Sequence, residues 1–225
     1  MALRIDFTFL LDLLFPEKCP YCVKPFSRRG EYRCAKCADG LVAAPTRRDA
    51  EAFYDRAVSA FVYVDSVRDA VIRYKFSGHA DYARSFGRAV AERLRGEDAV
   101  DLADAVVTWV PLSRKRLKER GYDQAELLAR AAAKSLKLQV LPTLRRVRNT
   151  AANSSISGGD GAKLRRENVE NAFEVAYPAT VRGAKLLLID DVITTGATLS
   201  QCARVLKMSG AETVIAATLA GTGNR

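Results

Sequence analysis

The chain has little with which to cross a membrane and little with which to catalyse by proton transfer. No apolar run reaches the ~20 residues that a bilayer span needs, and no low-complexity tract interrupts the sequence. There is one histidine, His79, in the turn-like run SGHADY, which suits a loop residue better than a catalytic base. The greasiest stretch, FTFLLDLLF near the N-terminus, is preceded by Asp6 and interrupted by Asp12, with no small-residue cleavage site after it. Residues 3 to 15 are therefore expected to form an amphipathic helix packed on the protein rather than a secretory signal, and a cytoplasmic location is expected.

What remains is a chain of 225 residues, 48% hydrophobic and 28% charged, enough for one ordinary core and a small appendage. The formal net charge is +10, and residues 111–170 carry most of it, with 14 Lys and Arg against 6 Asp and Glu. Such clustering raises the case for an anionic ligand, either a polyphosphate or a nucleic-acid backbone, beside the ordinary reading of charges that solubilise helix faces.

Four of the five cysteines form two pairs, Cys19 and Cys22 in CPYC, then Cys34 and Cys37 in CAKC. Each pair can close a knuckle whose thiolates face one ion, and four thiolates suit tetrahedral zinc. Two disulfides would need an oxidising compartment, and a redox CxxC seldom comes as two adjacent pairs. A structural zinc module over residues 1–45 is expected, too short to bury much core and so dependent on its metal. Residues 43–49 read as a linker to a larger domain over 50–225. Cys202, in LSQCARVL, reads as a small buried hydrophobe.

The larger part alternates strands and helices. VSAFVYV (58–64), AVVTWV (105–110), KLLLID (185–190) and TVIAATL (213–219) read as strands. Helices are expected over 67–75, 83–95, 122–138 and 198–208. This order predicts an α/β domain with a mostly parallel sheet, whose ligands bind beyond the carboxyl ends of the strands. The run 145–168 is polar, rich in Gly, Ser and Asn, and flanked by basic residues, as a functional or a disordered loop would be.

The most informative segment is LLLIDDVITTGAT, residues 186–198. A buried strand delivers two acids, and a Thr-Gly turn then opens a helix. Asp190 and Asp191 are acceptors suited to ribose hydroxyls or to the water shell of magnesium. Thr194, Thr195, Gly196, Ala197 and Thr198 surround a helix N-terminus, where free N–H groups and the dipole favour a phosphate. Gly196 permits close backbone approach. An acidic pair that merely caps a helix fits this sequence poorly.

These residues resemble the phosphoribosyl pyrophosphate signature of type I phosphoribosyltransferases. Together with the cysteine module, VPLSRKRLKERGYDQAELLA (110–129) and RRENVENAF (165–173), nearly the whole chain resembles the ComF family, which is linked to natural competence. The resemblance implies a type I phosphoribosyltransferase-like domain behind the zinc module. Asp190 and Asp191 would contact the ribose, and Thr194 to Thr198 the 5′-phosphate. Pro111, Leu112, Ser113 and Arg114 would form the pyrophosphate loop, Lys75 in RYKFSGH would meet phosphate, and residues 145–168 would close over the site. Where family members usually carry Gln, this chain has Asn153 and an insertion-like run over 154–163.

Such a site implies phosphoribosyl pyrophosphate with magnesium, and a glycosyl transfer in which a nucleophile displaces pyrophosphate. Orientation and charge stabilisation would carry the chemistry, so scarce acid-base groups do not count against it. The sequence shows no hood for recognising a base as acceptor. The alternative is a non-catalytic DNA-uptake accessory that binds single-stranded DNA or a helicase-like partner through the basic middle segment. Aromatics for base stacking are sparse there, with Tyr122 the obvious one.

Overall fold

The computed structural model describes residues 16–26, 31–98, 100–148 and 171–222. The helix expected over 3–15 and most of the polar run 145–168, Asn153 included, lie outside them.

Five parallel strands make the central sheet: β1 (Arg56–Val62), β2 (Val106–Trp109), β3 (Gln139–Val140), β6 (Lys185–Ile193) and β7 (Thr213–Gly221), in the order β1-β7-β6-β2-β3. A two-stranded antiparallel ribbon, β4 (Leu144–Arg146) with β5 (Phe173–Val175), stands apart from it. From β2 the chain travels through α4 (Arg114–Arg120) and α5 (Gln124–Leu136) to β3 on one side. From β6 it travels through α6 (Ala197–Met208) to β7 on the other. The strand order thus reverses between β2 and β6, and a crevice for ligand opens at such a reversal beyond the strands' carboxyl ends.

Strand β6 shows how sequence period becomes layering. Leu187 and Ile189 join the core on the face covered by α2 (Asp65–Phe76), α3 (Tyr82–Arg95) and α5. Leu186 and Leu188 join the core on the face covered by α6 and the β4–β5 ribbon. Alternation by two continues along a strand, so Asp191 belongs to the first face and Asp190 to the second. On the first face Gly87 of α3 lies against α5: a Cβ there would sit 2.5 Å from Ala131 Cβ. The alanines of α5 and this glycine let the two helices close on each other.

The cysteine module, which holds the one-turn helix α1 (Ala35–Ala38), does not stand off from this domain. Cys19 and Tyr21 are buried in the same core as Phe61 and Phe86, and the Tyr21 ring meets Phe61 edge-on at 5.8 Å between centroids. Arg73 of α2 donates to the Pro20 carbonyl at 2.7 Å. Residues 43–49, expected as a linker, are instead fastened to the sheet. Arg47 and Ala57 exchange two backbone hydrogen bonds of 2.8 and 2.9 Å, and Val62 N–H donates to Val42 C=O at 2.9 Å. Strand β1 is an edge strand, and this segment satisfies part of its open side.

Candidate phosphoribose site at the ends of β2 and β6

Strand β6 runs three residues beyond the expected KLLLID, because Val192 and Ile193 still pair with Ala220 and Gly221 of β7. Asp190 and Asp191 therefore sit within a rigid ladder. Asp191 is buried at 4% exposure and its Oδ1 lies 2.7 Å from Lys75 Nζ. Its Oδ2 is buried with no hydrogen-bond partner. Lys75 is delivered by the last turn of α2, which two tyrosines pin: Tyr74 donates its hydroxyl to Gln124 C=O at 2.7 Å, and Tyr122 donates to Tyr74 C=O. The lysine, expected at a helix end near phosphate, thus reaches the acidic pair.

Asp190, half-buried on the opposite face, accepts from Asp191 N–H at 2.8 Å. Burial, and next the adjacent Asp191 charge, push its carboxyl up to about 8, with Lys75 pulling the other way. Two arginines absent from the sequence expectation for the phosphoribose site share the electrostatics. Burial, then repulsion from Arg120, lowers the Arg116 pKa, while both aspartates favour its charge. Burial, then Arg116, does the same at Arg146, which Asp190 also offsets. Arg146 lies over the Phe173 ring at 5.0 Å. Neither was legible as a site residue, because α4 and β4 bring them there only in the fold.

After β2, Val110 N–H donates to Ile189 C=O at 2.9 Å, so Pro111 to Arg114 begin beside Asp190. Ser113 is buried and caps α4 by accepting from Arg116 N–H at 3.4 Å, while Arg114 is exposed. Leu112 N–H donates to Asp123 Oδ2 at 2.8 Å, and Asp123 Oδ1 accepts from Ala125 and Glu126 N–H at 3.0 and 3.2 Å. Asp123 is the N-cap of α5 and ties the loop to that helix. Burial raises its pKa against these three bonds.

After β6, Gly196 takes φ +76° and a Cβ on it would lie 2.5 Å from the Tyr54 hydroxyl, so two constraints exclude a side chain. Gly196 offers no side chain to cap α6. Thr195 Oγ1 accepts from Ala197 N–H at 3.4 Å. Cys202 is fully buried in α6, as expected.

The four module cysteines gather too. Their sulfurs lie within 4.8 Å of one another, Cys22 and Cys34 at 3.6 Å, near the ~3.8 Å edge of a tetrahedron with Zn–S bonds of about 2.3 Å. The group could hold a metal ion. Among the described residues no helix is long and apolar enough to cross a membrane.

Residues 124–225 match the model of the phosphoribosyl transferase domain family. The chain is 31% identical over 200 residues to DNA utilization protein YhgH of Salmonella typhimurium, covering 87% of this chain and 80% of that protein. The chain belongs to the ComF family. It is also 30% identical over 201 residues to competence protein F of Haemophilus influenzae, covering 87% of this chain and 82% of that relative. The fold of this ComF-family chain is that of type I phosphoribosyltransferases, a parallel sheet flanked by helices. Among solved structures it is similar to glutamine phosphoribosylpyrophosphate amidotransferase from B. subtilis, at 21% identity and a TM-score of 0.42. That match covers 64% of this chain and 30% of the enzyme's, so this chain spans under a third of its length.

Proposed function

We propose that this protein binds phosphoribosyl pyrophosphate with magnesium at the carboxyl ends of β2 and β6, and transfers the phosphoribosyl group to an acceptor. One observation carries the reading: a pair of acids, one of them pushed toward its neutral form, and a loop that opens a helix N-terminus follow each other at the end of one strand, with Lys75 paired to Asp191 and Arg116 and Arg146 in the field of Asp190. Asp190 and Asp191 would meet the ribose hydroxyls and the cation's shell, and Thr194 to Thr198 the 5′-phosphate. Pro111 to Arg114, with Arg116, would face the pyrophosphate.

Magnesium fits the donors present. Asp191 has a buried oxygen without a protein partner, and Asp190 resists ionising beside it. A bound divalent ion would supply charge neutralisation for the leaving pyrophosphate. The residues would do the rest by orientation: Lys75 steadies Asp191, Asp123 fixes the loop after β2, and the cations stabilise the departing oxygens. Zinc fits the four cysteines, whose thiolates would supply all four ligands and leave no open position, so its role would be structural.

Thermal melts test the binding claim. We expect phosphoribosyl pyrophosphate with magnesium to raise Tm by several degrees at saturating ligand, and either component alone to raise it less. No shift at millimolar ligand would contradict it.

A second reading has its own observation. Arg114, Lys115 and Lys118 on α4 are exposed, within a family whose members are named for DNA utilization and competence. Single-stranded DNA would lie along that helix, and a helicase-like partner would serve the same uptake role. Binding should then weaken steeply with salt and fall when those three side chains are neutralised. Affinity indifferent to both would exclude the reading.

A further inference from the structure

We propose that Arg47 is a positioning residue for the phosphate loop, acting from the strap that joins the cysteine cluster to the sheet. The inference rests on the reading of residues 194–198 as the phosphate site.

The strap meets that loop at three points. Arg47 donates from one guanidinium nitrogen to the Thr194 carbonyl at 2.7 Å. The Tyr54 hydroxyl sits beneath Gly196, in the space a Cβ would take. Phe53 N–H donates to Ser200 Oγ, in the first turn of α6, at 3.2 Å. Behind these contacts Asp49 is the hub. It pairs with Arg47 at 2.9 Å, receives a second Arg47 hydrogen bond at 3.4 Å, and accepts from Tyr54. The Arg47 side chain is only 12% exposed, and its backbone is bridged to Ala57 of β1. The guanidinium is thus held at both ends and has one direction in which to point.

What it points at decides the loop's polarity. In a trans peptide the carbonyl of one residue and the N–H of the next face opposite ways. Arg47, with Thr222 Oγ1 at 3.3 Å, draws the Thr194 carbonyl outward. The Thr195 N–H must then face away from Arg47, the side proposed for the phosphate. Without the arginine only the Thr222 hydroxyl, at 3.3 Å, holds that carbonyl, and a carbonyl turned toward the phosphate side would repel the anion. Thr194 and Arg47 are 147 residues apart, so the geometry of the loop depends on a segment anchored a few residues beyond Cys37. A lysine could reach Thr194 or Asp49 but lacks the planar fork that serves both.

The test separates this idea from the reading beneath it. Binding of ribose 5-phosphate and of inorganic pyrophosphate, each with magnesium, is measured for the full chain, Arg47→Ala and Arg47→Lys. Amide hydrogen exchange is followed at residues 195–198 and, as a control, 187–189. We expect Arg47→Ala to weaken ribose 5-phosphate about 10-fold or more, the usual loss for a charged hydrogen bond. Pyrophosphate should be unaffected, exchange should quicken at 195–198 alone, and Arg47→Lys should fall between. Equal loss of both ligands with faster exchange throughout would overturn the proposal, leaving Arg47 a general support of the fold. Unchanged ribose 5-phosphate binding and unchanged exchange in the loop would overturn it as well. If the unmodified protein binds neither ligand, the phosphate-site reading fails, and loop exchange alone decides whether the clamp exists.

Discussion

The protein gathers like groups in two places and supports them in opposite ways. Four thiols meet on short turns, Cys19–Val23 and Cys34–Ala38, closed by a few backbone hydrogen bonds and tied to the core chiefly through Cys19 and Tyr21. Two carboxyls meet on a nine-residue strand that pairs with β2 as far as Ile189 and with β7 as far as Ile193. With the proposed zinc bound, the thiol cluster would draw much of its order from the ion, whereas the sheet holds the carboxyl pair together before any ligand and at the cost of its own charge. Removing ligands from the first should therefore loosen the fold, and removing the Asp190 charge from the second should firm it while ending function.

The largest effect is expected at the cysteines. Zinc analysis should give about one ion per chain, and Cys34→Ser with Cys37→Ser should abolish it. Limited proteolysis should then cut within residues 16–42, because metal binding supplies most of that segment's folding energy. Intact proteolytic resistance without metal would erase the contrast. Next, Asp191→Asn leaves Lys75, 21% exposed, facing a neutral amide. A loss of about 3 kcal/mol in urea unfolding is expected, the scale for breaking a buried pair. Gly196→Ala forces a side chain to φ +76° and into Tyr54, and should cost roughly 1–3 kcal/mol.

The smallest effect has the opposite sign and sharpens the comparison most. Asp190 titrates near 8 in the fold and near its ordinary 3.8 when unfolded, so between those values the native state holds the extra proton. Its contribution to stability is full below about pH 4 and is lost as pH rises through 8. Asp190→Asn should be more stable than the parent at pH 8 by on the order of 1–2 kcal/mol, with a flatter pH profile. Denaturant midpoints at pH 5 and 8 check this. Equal slopes for both proteins would mean that Asp191, Lys75, Asp123, Arg116 and Arg146 already compensate the charge.

Much of this could be read from the chain, for reasons particular residues make clear. Leu186 to Ile189 are apolar in succession, as a strand buried on both faces must be, and the acids and Gly196 follow without interruption. The helix α4 was missed because RKRLKER has a single apolar residue and no face to detect. Its signals were Ser113 as cap and Gly121 at φ +79° as stop. The ribbon β4–β5 leaves no periodic trace in the sequence, because its three-residue strands are separated by 26 residues. The tie from Arg47 to Thr194 lies beyond any local pattern, and so does the sharing of one core by Tyr21 and Phe86. Sequence showed the loop that would hold phosphate, and only the fold showed what holds the loop.

The most direct measurement is calorimetric titration of phosphoribosyl pyrophosphate, with and without magnesium, into the full chain and into Asp190→Asn, Asp191→Asn. We expect binding that requires magnesium and disappears in the double variant while its circular dichroism stays native. Heat-silent titrations of well-folded parent protein, or equal affinity in the double variant, would contradict a phosphoribose site at the end of β6.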